Sequence, residues 1–151
     1  MNLRKKSSFT FSWVLVNKLA VGTPIRNESD VMLLKKRKIK SVLSLCSNEK
    51  LTDEYKNFEH KNFELPDHNY GFCPSTSQVV QAVRNIEKLL DIGPVFVHCE
   101  ASIERSPLIC IAWLIIKESI SYENAIQYLK EVHPKSNPHI DQLNVLKKLI
   151  N

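Results

Sequence analysis

The sequence predicts an α/β fold in which a mainly parallel sheet of about five strands is flanked by helices. Short apolar runs of strand length alternate with amphipathic stretches of helix length along the chain. The run at residues 95–97 is apolar on both faces, as in a strand at the centre of a parallel sheet. The chain has 151 residues, of which 43% are hydrophobic, so it is long enough for one core, and we expect a single domain over residues 1–151.

The strands and helices before the central strand are predicted from the spacing of apolar residues and from turn-forming residues. Asn17-Lys18 separates two short apolar runs and predicts a hairpin turn. A β-branched apolar run then predicts a buried strand between two helices. The predicted ranges are strands at 13–16, 19–21, 40–45 and 62–65, and helices at 27–38 and 51–58.

The second half of the chain is predicted to be mostly helical. Ser75 followed by Gln78 is a capping-box pattern, and apolar residues recur after it at helical spacing until Gly93-Pro94. Residues 107–118 are apolar almost all round, which indicates a buried helix. Two amphipathic helices are predicted after it, over Tyr122–Val132 and 139–150.

The stretch HCEASIERSP joins the central strand to the buried helix. In open α/β sheets, ligands bind at this end of the strands. Ser106-Pro107 predicts a helix start with serine at the N-cap, so free N–H groups would point into the loop and bind an anion. The planar guanidinium of Arg105 can grip two oxygens of a phosphate, and a Cys99 thiolate beneath that phosphate would be a nucleophile. The predicted phosphate-binding residues are Cys99, Glu100, Ala101, Ser102, Ile103, Glu104 and Arg105.

The order His-Cys, five residues, then Arg-Ser resembles the signature of cysteine-dependent protein phosphatases. FSWVLVNKLAVG near the N-terminus and LPD at residues 65–67 resemble the compact, atypical dual-specificity branch, and the resemblance covers nearly the whole chain. It implies a dual-specificity-phosphatase type of fold, with His98 bracing the loop. It also implies that Cys99 attacks phosphorus, that Arg105 stabilises the developing charge, and that Asp67 is the general acid. For Ser106 it implies donation of a hydrogen bond to the sulfur, with plain N-capping as the alternative.

Two features of the loop depart from that family. The family often carries glycine three positions after the cysteine, where this chain has Ser102. The loop also carries Glu100 and Glu104, whereas phosphoinositide phosphatases usually have lysines there. Because acids close to a phosphate repel it, we expect a phosphorylated protein, with phosphotyrosine favoured, or a simple monophosphate ester as substrate. Inositol lipids and polyphosphates are disfavoured.

Two other interpretations stay open on the sequence alone. HCExSxER also resembles the loop of the rhodanese-like cell-cycle phosphatases, which share the cysteine and arginine on a different fold. That resemblance leaves LPD and the FSWV opening without explanation. The third interpretation is a catalytically weak phosphate-binding module, which the presence of Cys99, Arg105 and Asp67 disfavours.

Composition limits the remaining classes of function. The formal net charge is +5, and the basic run at residues 35–40 predicts a solvated helix end, so no nucleic acid partner is expected. No apolar run is long enough to span a membrane, and the first residues lack a secretory apolar segment. The four cysteines form no CxxC pair, so we expect a reduced, cytoplasmic protein without a metal or other cofactor. The oligomeric state is not predicted.

Cys46 is a candidate redox partner of Cys99. The phosphoinositide 3-phosphatase tumour suppressor resembles this chain in having a cysteine after the corresponding strand, in a similar Leu-Cys context, where it serves as a resolving partner. The strand before Cys46 is expected to run parallel to residues 95–97 and to end at the same edge of the sheet. The alternative is that Cys46 is a small buried residue with no redox role.

Overall fold

The computed structural model describes residues 8–68 and 71–150, which form one sheet with helices on both faces. The strands are β1 (Phe11–Leu15), β2 (Leu19–Gly22), β3 (Ser41–Ser44), β4 (Glu59–Asn62) and β5 (Val95–His98). The α-helices are α1 (Glu28–Lys36), α2 (Thr76–Leu90), α3 (Arg105–Lys117), α4 (Tyr122–Val132) and α5 (Ile140–Lys147), and two short 3-10 helices span Asn48–Lys50 and Asp53–Asn57.

The five strands lie in the order β1-β2-β5-β3-β4. Only the β1–β2 pair is antiparallel, and its turn places Asn17 in the left-handed region with a φ of 64°. Asparagine adopts that conformation at lower cost than most residues, so the predicted hairpin has a suitable turn residue. The other three pairs are parallel, with β5 between β2 and β3. The predicted fold class and the central position of residues 95–97 are therefore confirmed.

Alternation along the central strand divides the core between the two faces of the sheet. Val95 and Val97 pack in the larger cluster with residues of α2 and α3, whereas Phe96 packs with residues of α1 on the opposite face. Trp113 of α3 is fully buried and donates its indole N–H to Glu87 at 3.0 Å. Helix α3 thus lies against the middle of the sheet, and its first residue follows the loop after β5.

No helix in the two described ranges is long and apolar enough to cross a membrane.

The fourth strand lies earlier in the chain than the sequence predicts. The prediction of a strand at residues 62–65 is wrong, because β4 is Glu59–Asn62. This strand is at the edge of the sheet, and its residues alternate between exposed and half-buried. The polar sequence EHKN carries no apolar signal, whereas Phe63 and Leu65 just beyond it do. Leu65 still donates its N–H to the Leu45 carbonyl at 3.0 Å, which fixes the segment that follows β4.

Candidate active site

The loop at residues 99–105, here called the cysteine loop, begins at the carboxyl end of the central strand. Strand β5 ends at His98, which pairs with Ser44 at the end of β3. Helix α3 begins at Arg105, where the loop ends. The cysteine loop therefore lies at the edge of the sheet where ligands bind in open α/β folds.

A cleft of about 220 Å³ opens over the cysteine loop. Cys99 lies in it and is only 3% exposed, whereas Glu100 and Ala101 on its walls are exposed. Ser102 is fully buried beneath the loop and is the one predicted phosphate-binding residue that does not line the cleft. The lining residues are Asp67, Cys99, Glu100, Ala101, Ile103, Glu104 and Arg105.

The side chain of Ser106 lies against the cysteine and not at a helix cap. Helix α3 begins one residue earlier, and Glu104, at the cap position, makes no side-chain capping bond. The prediction that Ser106 is the N-cap is therefore wrong. The backbone is already helical at Arg105, and the Ser106 Oγ lies 3.2 Å from the Cys99 Sγ. A hydroxyl at that distance can donate a hydrogen bond to sulfur.

Arg105 is held between the segment after β4 and the cysteine loop. The residue is 7% exposed, and one terminal nitrogen donates to the Leu65 carbonyl at 3.4 Å. The other terminal nitrogen lies 3.6 Å from Oδ2 of Asp67 and 3.9 Å from Oε1 of Glu100. Two carboxylates thus surround a guanidinium whose planar fork suits the oxygens of a phosphate.

Asp67 reaches the cleft from a segment that the sheet anchors. Leu65, two residues earlier, is 1% exposed and hydrogen-bonded to the chain after β3. The Asp67 side chain is 18% exposed, so it is accessible from the cleft while being mostly enclosed by protein. The structure therefore brings Asp67, Cys99 and Arg105 around one cleft, as the sequence predicts.

His98 braces the start of the cysteine loop through buried hydrogen bonds. Burial lowers the pKa of His98 to about 4, so the ring is neutral near pH 7. Its Nδ1–H donates to the Cys99 carbonyl at 2.9 Å, and Nε2 lies 2.6 Å from Ser44 Oγ and 2.9 Å from Tyr55 Oη. The bracing role that the family resemblance implies for His98 fits this geometry. The role of Tyr55 could not be predicted from the sequence, because no local pattern indicates its contact with His98, 43 residues away.

His133 fixes the middle of the cysteine loop. This role was not predicted from the sequence either. Ser102 has a φ of 59°, in the left-handed region that favours glycine. The Nε2–H of His133 donates to the Ser102 carbonyl at 2.8 Å, and the Ser102 Oγ lies 3.0 Å from the same nitrogen. On the other side of the ring, Ser12 Oγ lies 2.8 Å from Nδ1. This buried histidine therefore links the loop to β1.

The chain is similar to a known family of catalytic domains and to proteins from plants and animals. The family model for the dual specificity phosphatase catalytic domain matches residues 25–150. The phosphatidylglycerophosphate phosphatase PTPMT2 of Arabidopsis thaliana is 26% identical over 140 residues, which cover 90% of this chain and 61% of the plant protein. Human dual specificity protein phosphatase 4 is 32% identical over 72 residues, covering 47% of this chain and 18% of the human protein.

The fold is also that of a solved phosphatase structure. Tk-PTP in its active form superposes with a TM-score of 0.78 at 23% identity, over 92% of this chain and 95% of that one. The likeness thus extends along nearly the whole chain. It favours this architecture over the rhodanese-like alternative. With 126 of its 151 residues in the matched region, the chain belongs to the family of dual specificity phosphatase catalytic domains.

Proposed function

We propose that this chain is a cysteine-dependent phosphomonoester hydrolase that acts through a phosphocysteine intermediate. One observation carries the proposal: the Cys99 thiol lies in a cleft that it shares with the Arg105 guanidinium and the Asp67 carboxyl group. A nucleophile, an anion clamp and an acid are the three groups that such a reaction needs.

The first step transfers the phosphoryl group to sulfur. The Cys99 thiolate attacks phosphorus, a P–S bond forms, and the P–O bond to the leaving group breaks. Asp67 gives its proton to the departing oxygen, while Arg105 and the loop N–H groups stabilise charge on the other phosphoryl oxygens. The Arg105 guanidinium lines the cleft beside Asp67 and Glu100, where it can bind those oxygens.

The second step releases phosphate. A water molecule attacks the phosphocysteine, and the Asp67 carboxylate, now deprotonated, takes a proton from that water. The P–S bond breaks and its electron pair returns to sulfur as the thiolate. The Ser106 hydroxyl, 3.2 Å from the sulfur, donates a hydrogen bond that stabilises this leaving thiolate.

The charges around the cleft favour a substrate with a single phosphate, such as phosphotyrosine in a protein or another simple monophosphate ester. Glu100 and Glu104 line the cleft itself. A neighbouring cavity of about 510 Å³ shares Asp67, Glu100 and Arg105 with the cleft and adds Glu49 and Glu64 to its walls. These carboxylates repel further negative charge on the substrate over a distance of about 10 Å. Polyphosphates and nucleic acids are therefore poor candidates.

A lipid phosphate monoester is the second candidate substrate. The plant relative that aligns with 90% of this chain is a phosphatidylglycerophosphate phosphatase. On the other side of the cysteine loop, a groove of about 310 Å³ is lined by Arg26 and Lys135 together with Glu100 and Ala101. Two basic residues beside the loop would tolerate a second negative charge, such as the phosphodiester of that lipid.

Hydrolysis of p-nitrophenyl phosphate, with the Cys99→Ser variant as the control, tests the proposed reaction. The wild-type chain should release phosphate, and rapid quenching in an alkaline denaturant should trap phosphate on Cys99. Cys99→Ser should abolish turnover while vanadate still binds, because the anion site is intact. Asp67→Asn should slow an alkyl phosphate about 100-fold or more and p-nitrophenyl phosphate much less, because only the poor leaving group needs the proton. Turnover that survives in Cys99→Ser would refute the proposal, and vanadate binding without any turnover would leave a phosphate-binding module.

A substrate panel separates the two candidate substrates. Phosphotyrosine, phosphoserine and phosphothreonine peptides should be compared with phosphatidylglycerophosphate in mixed micelles. Arg26→Ala and Lys135→Ala should reduce lipid turnover selectively if the lipid is the substrate.

We also place the protein in the reducing cytoplasm, a proposal supported by its four cysteines, all of which are free thiols.

A further inference from the structure

Three metal-binding side chains from two parts of the chain meet beside the cleft. His68 directly follows Asp67, Cys73 precedes α2, and Asp141 lies in the first turn of α5. Their donor atoms all lie within 4.8 Å of one another, and Nε2 of His68 is 3.8 Å from Oδ2 of Asp141. We propose that His68, Cys73 and Asp141 bind a divalent transition metal ion, with Zn²⁺ as the ion that best fits this donor set.

The donor set matches zinc in both type and number. Thiolate, imidazole and carboxylate bind Zn²⁺ at about 2.0–2.3 Å, and three protein ligands leave a fourth tetrahedral position for water. Tetrahedral donors at those bond lengths are about 3.3–3.7 Å apart, so closing the site requires a movement of about 1 Å. The Asp141 side chain is 62% exposed and can rotate toward the other two ligands without repacking the core.

His139 supports two of the three ligands. Its ring stacks on that of His68 with 3.9 Å between centroids, and its Nδ1 lies 3.4 Å from Oδ2 of Asp141. The stacked ring limits the rotation of the His68 ring, and the His139 Nδ1 accepts the Asp141 backbone N–H at 3.3 Å, which fixes the backbone of the third ligand. Such outer partners typically change metal affinity 10- to 100-fold when they are removed.

The surrounding charges favour a cation at this position. The carboxylates of Asp141 and Glu104 are close enough to act electrostatically on the Cys73 thiol. A divalent ion bound to the Cys73 sulfur would offset the repulsion that these two carboxylates exert on a bound thiolate. These carboxylates therefore add to the attraction of the site for a divalent cation.

A metal at this site would tie the segment that carries Asp67 to the start of α5. His68 and Cys73 belong to that segment, and Asp141 belongs to the helix. The sequence did not predict the site, since its ligands are separated by 4 and 67 residues and match no cysteine–histidine zinc motif. Metal binding is a property of these three residues and does not depend on the proposed catalytic function.

Cobalt substitution tests the site directly, because Co²⁺ bound to a thiolate gives a near-ultraviolet charge-transfer band. The purified wild-type chain, reduced and stripped of metal, should develop this band on titration with Co²⁺ to one equivalent, and Zn²⁺ should abolish it. Cys99→Ser is the matched control and should keep the band in full. Cys73→Ser should lose it, with an unchanged circular dichroism spectrum showing that the chain is folded. A band that is absent from wild type, survives in Cys73→Ser or disappears in Cys99→Ser would overturn the proposal.

Calorimetric titration with Zn²⁺ tests the other ligands independently of the thiol. Asp141→Asn should weaken Zn²⁺ binding more than about 100-fold, and His139→Asn, which keeps a residue that can cap α5, should weaken it about 10- to 100-fold. Equal affinity of wild type and Asp141→Asn would show that the carboxylate is not a ligand and would refute the three-residue site.

Discussion

The Cys99 Sγ and the Ser106 Oγ lie 3.2 Å apart at the start of α3, and both residues are almost completely buried. Burial excludes competing water, so a hydrogen bond between them is stronger than it would be at the surface. In the reaction proposed above, the sulfur is a thiolate before attack and after release of phosphate, and a donated hydrogen bond stabilises that charge. Ser106 therefore has most to contribute when the P–S bond breaks.

Ser106→Ala should slow the second step of the reaction more than the first. A hydrogen bond to a charged group contributes about 1.5–3 kcal/mol, so we expect the rate of phosphocysteine hydrolysis to fall about 10- to 100-fold. The intermediate should accumulate and give a burst of p-nitrophenol in stopped-flow measurements. Ser106→Thr, which keeps the hydroxyl, is the matched control and should show a smaller burst. A steady-state rate equal to that of wild type would remove Ser106 from this step.

Glu104→Lys should shift substrate preference toward polyanions. The substitution replaces a repulsive charge in the cleft by an attractive one, so kcat/KM for phosphatidylglycerophosphate should rise relative to a phosphotyrosine peptide. The shift should be largest at low ionic strength, where charges are least screened. Glu123→Lys makes the same change of net charge on the exposed surface of α4 and should leave the ratio unaltered. An equal effect of both variants would point to net charge and not to the cleft.

The sequence predicted the elements whose signals are local. The capping box of Ser75 and Gln78 is present at the start of α2, and α4 has the predicted bounds, Tyr122–Val132. The polar strand β4 was not predicted, because a strand at the edge of a sheet can lack the apolar residues on which the prediction depends. The side chains that hold the cysteine loop were not predicted for another reason. His133 and Tyr55 reach the loop from distant segments, and no local sequence pattern indicates such long-range contacts.

His133→Ala should weaken anion binding by the cysteine loop. The imidazole holds the Ser102 carbonyl at a residue with positive φ, so its loss should let the loop N–H groups turn away from the phosphate. We expect KM and the inhibition constant of vanadate to rise about 10-fold, in line with one lost buried hydrogen bond of about 1.4 kcal/mol. His133→Gln, which can still donate to that carbonyl, should recover part of the loss.

The same contact predicts how Ser102 tolerates substitution. Ser102→Gly should keep activity, because glycine adopts a φ of 59° without strain and the carbonyl bond to His133 remains. Ser102→Val should lower the thermal midpoint and the activity together, since β-branched residues are genuine outliers at positive φ. Similar stability of the glycine and valine variants would show that backbone conformation does not limit this position.

The buried histidines should make the fold sensitive to mild acid. The pKa of His98 is about 4 in the folded protein and 6.5 when exposed, and burial also lowers the pKa values of His60 and His133. Below pH 6.5 the unfolded chain binds protons that the folded chain does not, so the free energy of unfolding should fall as the pH drops from about 6.5 to about 4. His98 alone should account for about 3 kcal/mol of this loss.

Urea unfolding at a series of pH values measures that dependence. His98→Gln removes one titrating group, so its free energy of unfolding should depend less steeply on pH by up to one proton between pH 6.5 and 4. Its stability near pH 7 should be lower, because the bonds to Cys99 and Ser44 are weakened. Parallel pH profiles for His98→Gln and wild type would show that His98 is not a source of the acid sensitivity.

Cys46 is the candidate thiol that would protect Cys99 from irreversible oxidation by forming a disulfide with it. Strands β3 and β5 are parallel neighbours that end together, and Leu45 donates its N–H to the His98 carbonyl at 2.9 Å. Cys46 lies two residues after the end of β3, and Cys99 lies one residue after the end of β5. Burial raises the pKa of Cys46 to about 11, so its thiol is mostly protonated near pH 7 and its attack on an oxidised Cys99 should be slow but should accelerate with rising pH.

Peroxide inactivation followed by thiol rescue should distinguish a resolving cysteine from a merely buried one. We expect wild type to recover activity and to give a Cys46–Cys99 peptide on mass spectrometry, with a yield that grows between pH 7 and 9 because the thiolate fraction of Cys46 grows about 10-fold for each pH unit. Cys46→Ser should recover less activity and contain more sulfinic acid at Cys99, since its sulfenic acid has no partner thiol. Cys73→Ser, which removes a half-buried thiol in the segment before α2, should recover like wild type. Equal recovery of wild type and Cys46→Ser would assign Cys46 a packing role only.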